Sequence, residues 1–509
     1  MTLTGFYLRF AEQLDLSANA RLLALCERLL ADPLPGLTDL VPGYVNLYVE
    51  FDADRVRRSR VERWVRGHLA DLPAYSSGKS VQVEVRYDGP DLPWVAHQTG
   101  LSVAEVVKRH SQLEYHVFAT GFTPGFPFLG PLDERLRLPR RQTPRVAVPA
   151  HSVAIAGSQS GIYPLPSPGG WHLIGTALTQ VYNPHREEVF LLQAGDKVRF
   201  VPAEGPTPPV PAERPLLPAE PRFPVLRVEQ PGLMDLVMDD GRRVAGRFGL
   251  AASGVLDARS ARIANRLVGN PAGTPLLELT LQGPVLEVLS PVVVAFAGYG
   301  LVPLVNAEPV RGTQSFVLQK GDVLSFKPLA EGVRGYLALA GGIESQQFWG
   351  SASSDAKGLI GRALQAGDVL GVAEPRAVRG GFGYDQGGLS PACIRLLPGP
   401  QYSREAMEAL CAAHYELASG DRMGLRLSGP EVPGGELISE ATPLGAVQIT
   451  TQGQPIVLLN DRGRIGGYAK PALVHPADLP RLAQLRPGEL LRFVPCEEDS
   501  GRSSRPPLE

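Results

Sequence analysis

The chain has 509 residues, 44% of them hydrophobic and 20% charged, enough to fill several packed cores and incompatible with a disordered protein. With 50 basic and 52 acidic side chains the formal net charge is -2, so bulk electrostatics gives no reason to expect nucleic acid or an anionic membrane as partner. No apolar run approaches the roughly 20 residues that span a bilayer, and MTLTGFYLRF lacks the basic start and apolar core of a signal peptide, which makes the cytoplasm the expected location.

The first elements read strand, helix, strand, helix, strand: GFYLRF, Ser17 to Leu30, VNLYVEF, Arg55 to Leu72 and VQVEVRY. Leu22, Cys26, Leu29 and Leu30 share one helical face, as do Val61, Trp64, Val65 and Leu69, so a small α+β domain is expected over residues 1–87. Two short helices follow, the second opened by Ser102 and Glu105 at capping-box spacing. From Tyr115 to Pro202 short strands alternate with Gly and Pro, which predicts a β-barrel over 88–203. The proline-rich stretch 204–224 reads as a semi-rigid linker. Beyond it come a β lobe over 225–372, broken by one helix at Ala258 to Val268, a second over 373–496, and a polar tail at 497–509. Cys26, Cys393, Cys411 and Cys496 never form C-x-x-C and are expected as buried free thiols.

One phrase closes four stretches: LQAGDKVRFVP from Leu192, LQKGDVLSFKP from Leu318, LQAGDVLGVAE from Leu364 and LRPGELLRFVP from Leu485. Each pairs a Gly-acid turn with an alternating strand, so the chain is expected to be built from related β modules.

Several motifs carry candidate chemistry. PAYSSGKS, Pro73 to Ser80, ends like a phosphate-binding loop but is followed by a β pattern, and a surface loop is expected. In GFTPGFPFLG, Gly121, Gly125 and Gly130 permit close approach while Phe122, Phe126 and Phe128 supply apolar walls, either as a pocket rim or as an aromatic plug. Arg140, Arg141 and Arg145 precede the Gly157 to Gly161 loop, a possible anion cradle or a plain charged rim. His110, His116, His151 and His172 fall in the same module as potential bases or structural histidines. In SGVLDARSARIANRLVGNP, Asp257 or Ser260 is expected to cap the helix, and Asn265 and Arg266 to tie loops to it. A second candidate anion-binding turn holds Asp461, Arg462 and Lys470.

At these residues the chain resembles a known pair of families. YDGPDL, GFTPGFPFLG, PRRQTPR, SVAIAG and GIYPLPSPGGW resemble KipI, also known as the B subunit of 5-oxoprolinase or allophanate hydrolase subunit 1. Downstream, SGVLD, ANRLVGNP, LELTLQGP, GSASSD, RMGLRLSGP, PIVLLNDR and GGYAKP resemble KipA, the family of the 5-oxoprolinase C subunit, or allophanate hydrolase subunit 2. The resemblance implies a fusion with a small α+β domain followed by cyclophilin-like β-barrels, one in the first half and two in the second. It implies ATP-dependent hydrolysis of 5-oxoproline to glutamate together with a LamB/YcsF-like A subunit, ATP being accompanied by magnesium; the alternative activity is regulation of a sensor histidine kinase by direct binding. The same pair forms the carboxyltransferase region of urea carboxylase, but no biotin-carrier or ATP-grasp segment is seen. On this reading Arg140, Arg141, Arg145 and Gly157 to Gly161 serve the phosphates, His110 or His172 handles the proton, and Gly121, Gly125 and Phe126 belong to the wall around a small cyclic amide. Five positions depart from the family pattern: Met238 where Gln is usual, Ala352 for Arg, Arg464 and Ile465 for Thr, and His151 for Gly.

Overall fold

In a computed structural model, residues 2–72, 78–377, 379–389 and 393–496 are described. Most of PAYSSGKS and the polar tail lie outside them. The small domain is a three-stranded antiparallel sheet in the order Leu3–Arg9, Asn46–Asp52, Leu37–Pro42. Helices α1 (Leu16–Ala31) and α2 (Arg58–Gly67) cover it, with Leu22, Cys26, Leu29, Val61 and Val65 in its core. Asp15 caps α1 by accepting from the Ala18 amide at 2.7 Å. The strand Leu37–Pro42 escaped the sequence reading because Pro and Gly flank a short, wholly buried run.

VQVEVRY, expected in this sheet, belongs elsewhere. Strand Ser80–Arg86 pairs in parallel with Lys197–Pro202 and antiparallel with His172–Ala177, inside a closed seven-stranded barrel. The reason lies in its burial: Val83 and Val85 point into the barrel core beside Val198 and Phe200. A parallel partner needs a long crossover, and α3 (Leu92–Thr99) and α4 (Val103–Ser111) lie within it. The predicted capping box is present, Ser102 Oγ accepting from the Glu105 amide at 3.3 Å and Glu105 accepting from the Ser102 amide at 2.8 Å.

Beyond the small α+β domain the chain is mainly β, as expected. Residues 393–496 form a second closed seven-stranded barrel, in which Cys393–Pro398 runs parallel to Leu490–Pro495 just as Ser80–Arg86 does to Lys197–Pro202. Between the barrels, the middle lobe arranges its strands as two six-stranded sheets around one core that includes Leu226, Leu277, Val294 and Leu337. Helix α5 (Ala258–Leu267) packs on this lobe, and Asp257 caps it by accepting from the Ser260 amide at 3.0 Å. No helix among the described residues is long and apolar enough to cross a membrane. Of the four cysteines, Cys26 is buried, whereas Cys393 is exposed and Cys411 and Cys496 are half-buried, so the expectation of buried thiols holds only for the first.

The repeated phrase has a physical explanation. In each copy the glycine takes a left-handed conformation, with φ of 96° at Gly195, 89° at Gly321, 89° at Gly367 and 88° at Gly488. The acid's amide then closes the turn while its carboxylate accepts from the first residue's amide, as in the Gln193 to Asp196 pair at 2.9 Å and the Gln319 to Asp322 pair at 2.7 Å. The same reciprocal closure joins Gln365 to Asp368 and Arg486 to Glu489. Gly supplies the positive φ and the acid satisfies a loop donor, so the phrase is a turn-to-strand device.

The proline-rich segment is docked along the surface. Arg214 exchanges backbone hydrogen bonds with Leu359 and Gly361 at 2.8 Å each, Gln180 donates to the Pro209 carbonyl at 2.9 Å, and Leu216 is buried. His151 lies nearby with φ of 65°, which accounts for the glycine usual there; burial pulls its imidazole below the ordinary value, against the carbonyls of Pro209 and Pro208.

The two halves meet through a buried ionic seam. Arg464 reaches Asp39 at 2.8 Å, Arg462 reaches Glu50 at 3.2 Å, and Asn46 donates to Glu440, itself paired with Lys470 inside the last barrel, at 3.3 Å. Asp39 and Glu50 come from the small sheet, while the cations come from the last barrel. Gly121 touches the same seam: a Cβ there would overlap the Ile465 side chain. Gly121→Ala is therefore expected to lower stability by about 1–3 kcal/mol, read as a lower melting temperature; an unchanged temperature would show that the seam yields.

Candidate functional site: an arginine-lined cleft between the halves

The first barrel does not gather the expected site. Arg141 and Arg145 converge, but on Asp91, at 3.3 and 2.7 Å. Although burial opposes it, the Arg145 hydrogen bond and the Leu173 amide hold the Asp91 carboxyl below its usual range. Arg145 also lines a small cavity of about 390 Å3 with Asp88 and Thr207, whereas Arg140 is exposed and reaches toward Gly467 of the last barrel. Gly157 opens a tight hairpin turn with φ of 56°, and its amide donates to the Leu138 carbonyl at 2.7 Å. Gly161 is a ladder residue opposite Phe128, so Gly157 and Gly161 serve the hairpin's own turn and ladder.

GFTPGFPFLG is a plug, the second of its two readings. Phe126 and Phe128 are buried among Tyr163, Trp171 and Tyr44, ring against ring at 4.9–5.7 Å. Only Gly125 among its glycines takes a positive φ, 73°, and its amide donates to Phe248 of the second half at 2.9 Å. Gly121, Gly125 and Phe126 thus seat one half on the other.

The histidines are also structural. His110 is fully buried; its Nδ1 meets Tyr87 Oη at 2.8 Å, its Nε2 meets Ser160 Oγ at 2.8 Å, and its ring stacks on Phe200. His172 donates from Nε2 to the Pro139 carbonyl at 2.8 Å and stacks on Trp94. Neither is among the residues that line the cavities of about 1210 and 390 Å3. Burial pulls His110 down to about 3, so it folds neutral, and unfolding lets it take up a proton. Its contribution to stability is complete above pH ~6.5 and drains away as pH falls toward 3, at about 1.4 kcal/mol per pH unit. Denaturant titrations of the wild type should show this slope and His110→Gln should flatten it; equal slopes would contradict the neutral assignment.

A cavity of about 1210 Å3 opens instead where the small domain, the middle lobe and the last barrel meet. Its wall carries Arg242, Arg243, Arg259, Arg262, Arg266 and Arg379, with Arg462 at the inner end, against the carboxylates of Glu50 and Asp240. Arg243, Arg259, Arg262, Arg266 and Arg379 make no ion pair among the described residues. Seven guanidinium groups facing two carboxylates in one recess focus a positive potential on whatever enters.

Local structure explains how they are held. Asp239 accepts from Ser351 Oγ at 2.6 Å, Ser353 Oγ at 2.5 Å and the amides of Gly241 and Ala352 at 2.8 and 2.7 Å. This cage of the GSASSD turn fixes the 239–243 loop and aims its neighbours into the cleft. Ala352, where the family has Arg, contributes only its amide. Arg242 is 3% exposed and donates to the Ser353 carbonyl, yet its Nε and Nη1 find no protein acceptor among the described residues. Ser253, beside it in the lining, is 2% exposed, holds a φ of 55° and leaves its Oγ unpartnered among them. Buried donors without partners are costly, so the pair leaves polar positions on the cleft wall open to a ligand, with the buried carboxylates of Asp355 and Asp239 also acting on Arg242. Burial, then the charge on Asp239, raises the Asp240 carboxyl above its ordinary value.

Of the second predicted turn, Arg462 lines this cleft; burial and the neighbouring Arg464 pull it down to about 10, still cationic at neutral pH. Asp461 is taken by Arg422 at 2.8 Å and Lys470 by Glu440, so both are structural. Arg266 faces the cleft, whereas Asn265 ties a loop to α5 through the Thr274 carbonyl at 2.9 Å, as expected. The sequence reading missed Asp240, Arg242, Arg259, Arg262 and Arg379. The signals were the acid-glycine-arginine run MDDGRR and the arginines spaced three and four apart in ARSARIANRL.

Comparisons with known proteins agree with this two-part construction. A family model described as carboxyltransferase domain, subdomain C and D, matches residues 1–192, and one described as carboxyltransferase domain, subdomain A and B, matches 248–495. The first half is 39% identical over 203 residues to the B subunit of 5-oxoprolinase from Escherichia coli O157:H7, covering 39% of this chain and 92% of that one. The second is 34% identical over 296 residues to the C subunit of 5-oxoprolinase from Escherichia coli strain K12, covering 55% and 94%. A crystal structure of TTHA0988 superposes with a TM-score of 0.93 at 56% identity, covering 97% of this chain and 100% of that chain. The chain belongs to the carboxyltransferase-domain family and joins a KipI-like half to a KipA-like half in one polypeptide.

Proposed function

We propose that the chain is the fused B and C component of an ATP-dependent cyclic amide hydrolase, opening 5-oxoproline to glutamate with a separate A component of the LamB/YcsF type. The observation that carries this is Arg242 and Ser253, buried at the cleft wall with donors unspent. A lactam carbonyl is a poor electrophile because its nitrogen feeds electrons into it. ATP, when bound, supplies a phosphoryl group for the amide oxygen and so makes the carbon open to water. Arg242 and Ser253 hold the substrate carboxylate. Asp240, its carboxyl raised by burial and by Asp239, takes the proton of the attacking water. Val255, Leu256 and Ile263 supply apolar wall that excludes bulk water from the reacting centre. Magnesium enters with the nucleotide phosphates. Free thiols suit the reducing cytoplasm proposed as its setting.

The test is reconstitution. Purified chain, a matching LamB/YcsF-type protein, ATP and 5-oxoproline are expected to release glutamate and ADP in equal amounts. No ADP above background from folded components would overturn the reading and favour the regulator of a histidine kinase.

A further inference from the structure

Resting on the reading above, we infer that the outer half of the cleft is a nucleoside triphosphate subsite of the second half, with the arginine face of α5 holding the polyphosphate and Phe382 and Tyr384 forming the shelf for the base.

Arg259, Arg262 and Arg266 are spaced i, i+3 and i+7 on α5, which places them on one face and spreads them over about 10 Å along the axis. That is the reach of a triphosphate chain. The opposite face, Ser260, Ala261, Ala264 and Asn265, is buried against the middle lobe, so the arginines cannot turn away from the cleft. Arg262 is half-buried, and burial pulls it below its ordinary value. Arg379 faces the same space from the segment that carries the aromatic pair.

Phe382 and Tyr384 are 57% and 48% exposed, yet their backbone is firmly placed. Phe382 exchanges hydrogen bonds with Ser315, and Gly383–Tyr384 adds a short strand to Thr313–Leu318. Gln386 then clamps this segment to α5, donating to Ser260 Oγ at 2.6 Å while accepting from Thr313 Oγ1 and the Gly298 amide at 3.0 Å each. Two open rings fixed beside a row of unpaired guanidiniums suit a ligand with a flat aromatic end and a polyanionic end. A cavity of about 1210 Å3 has room for such a nucleotide and a small cyclic amide together.

Equilibrium binding to the full chain separates the parts. The non-hydrolysable analogue AMP-PNP, inorganic tripolyphosphate and adenosine are titrated against wild type, Arg262→Ala, Arg266→Ala and Phe382→Ala, with circular dichroism confirming folding. Each arginine variant is expected to weaken AMP-PNP and tripolyphosphate about tenfold or more. Phe382→Ala is expected to weaken AMP-PNP and adenosine while leaving tripolyphosphate unchanged. No AMP-PNP binding by the wild-type chain, or unchanged affinity in the folded arginine variants, overturns the subsite. The two readings fail separately. Binding as described without glutamate release removes the reaction, whereas glutamate release with an unchanged ATP KM in Arg262→Ala and Arg266→Ala removes the subsite.

Discussion

Arg464→Ala is expected to destabilise the protein by on the order of 3–5 kcal/mol, the cost of leaving buried carboxylates without their counter-ion. Arg464 is 1% exposed and stands between Asp39 at 2.8 Å and Glu50 at 3.7 Å, so no water can replace it cheaply. The seam joins the small sheet to the last barrel, and its loss should show as early unfolding at the junction, with a lower denaturant midpoint. Adding Asp39→Asn should recover part of the loss, because a neutral amide no longer needs the cation, whereas Glu50 keeps Arg462 as its partner. A midpoint equal to wild type for the single variant would mean that the halves are held by other contacts.

This seam also gives the departures from the family pattern a physical sense. Arg464 and Ile465, where Thr is usual, have become an interhalf ion pair and the side chain against Gly121. Met238 is a core residue, fully buried. In this chain Arg464 and Ile465 serve packing between the halves and Met238 fills the core of the middle lobe, while the polar groups of the cleft come from neighbouring positions.

The second large effect is expected at Arg242. In the reconstituted enzyme, Arg242→Ala should lower kcat/KM for 5-oxoproline by a factor of about 100 or more, while the KM for ATP stays near wild type. Arg242→Lys should recover only part, since an ammonium cannot reach the Ser353 carbonyl and also place the separate donors of Nε and Nη1. An unchanged kcat/KM for 5-oxoproline in a folded Arg242→Ala protein would remove this residue from the site.

Much of the fold was legible because its signals are local. The capping box at Ser102 and Glu105, the apolar face of α1 and the fourfold turn phrase each reside within a few residues, and each forms as read. Strand partnership is not local: VQVEVRY alternates equally well for a small sheet or a barrel, and only its parallel partner far down the chain, Lys197 opposite Ser80, decides. The site was harder for the same reason. Arg140, Arg141 and Arg145 cluster in sequence, but Arg141 and Arg145 are drawn to Asp91, 50 and 54 residues back, and Arg140 reaches toward Gly467 of the last barrel. Arg242, Arg262 and Arg462 are scattered in sequence yet share one cleft. A histidine's chemistry also depends on its surroundings: His110 looked available at the end of a helix, but the barrel core seals it.

Crystals of the chain grown with AMP-PNP and 5-oxoproline decide whether the reactants bind in the cleft between the halves. Density is expected for the carboxylate against Arg242 and Ser253, with the phosphates along Arg259, Arg262 and Arg266. Density confined to the small cavity beside Arg145 and Thr207, with the cleft holding only solvent, would contradict binding there.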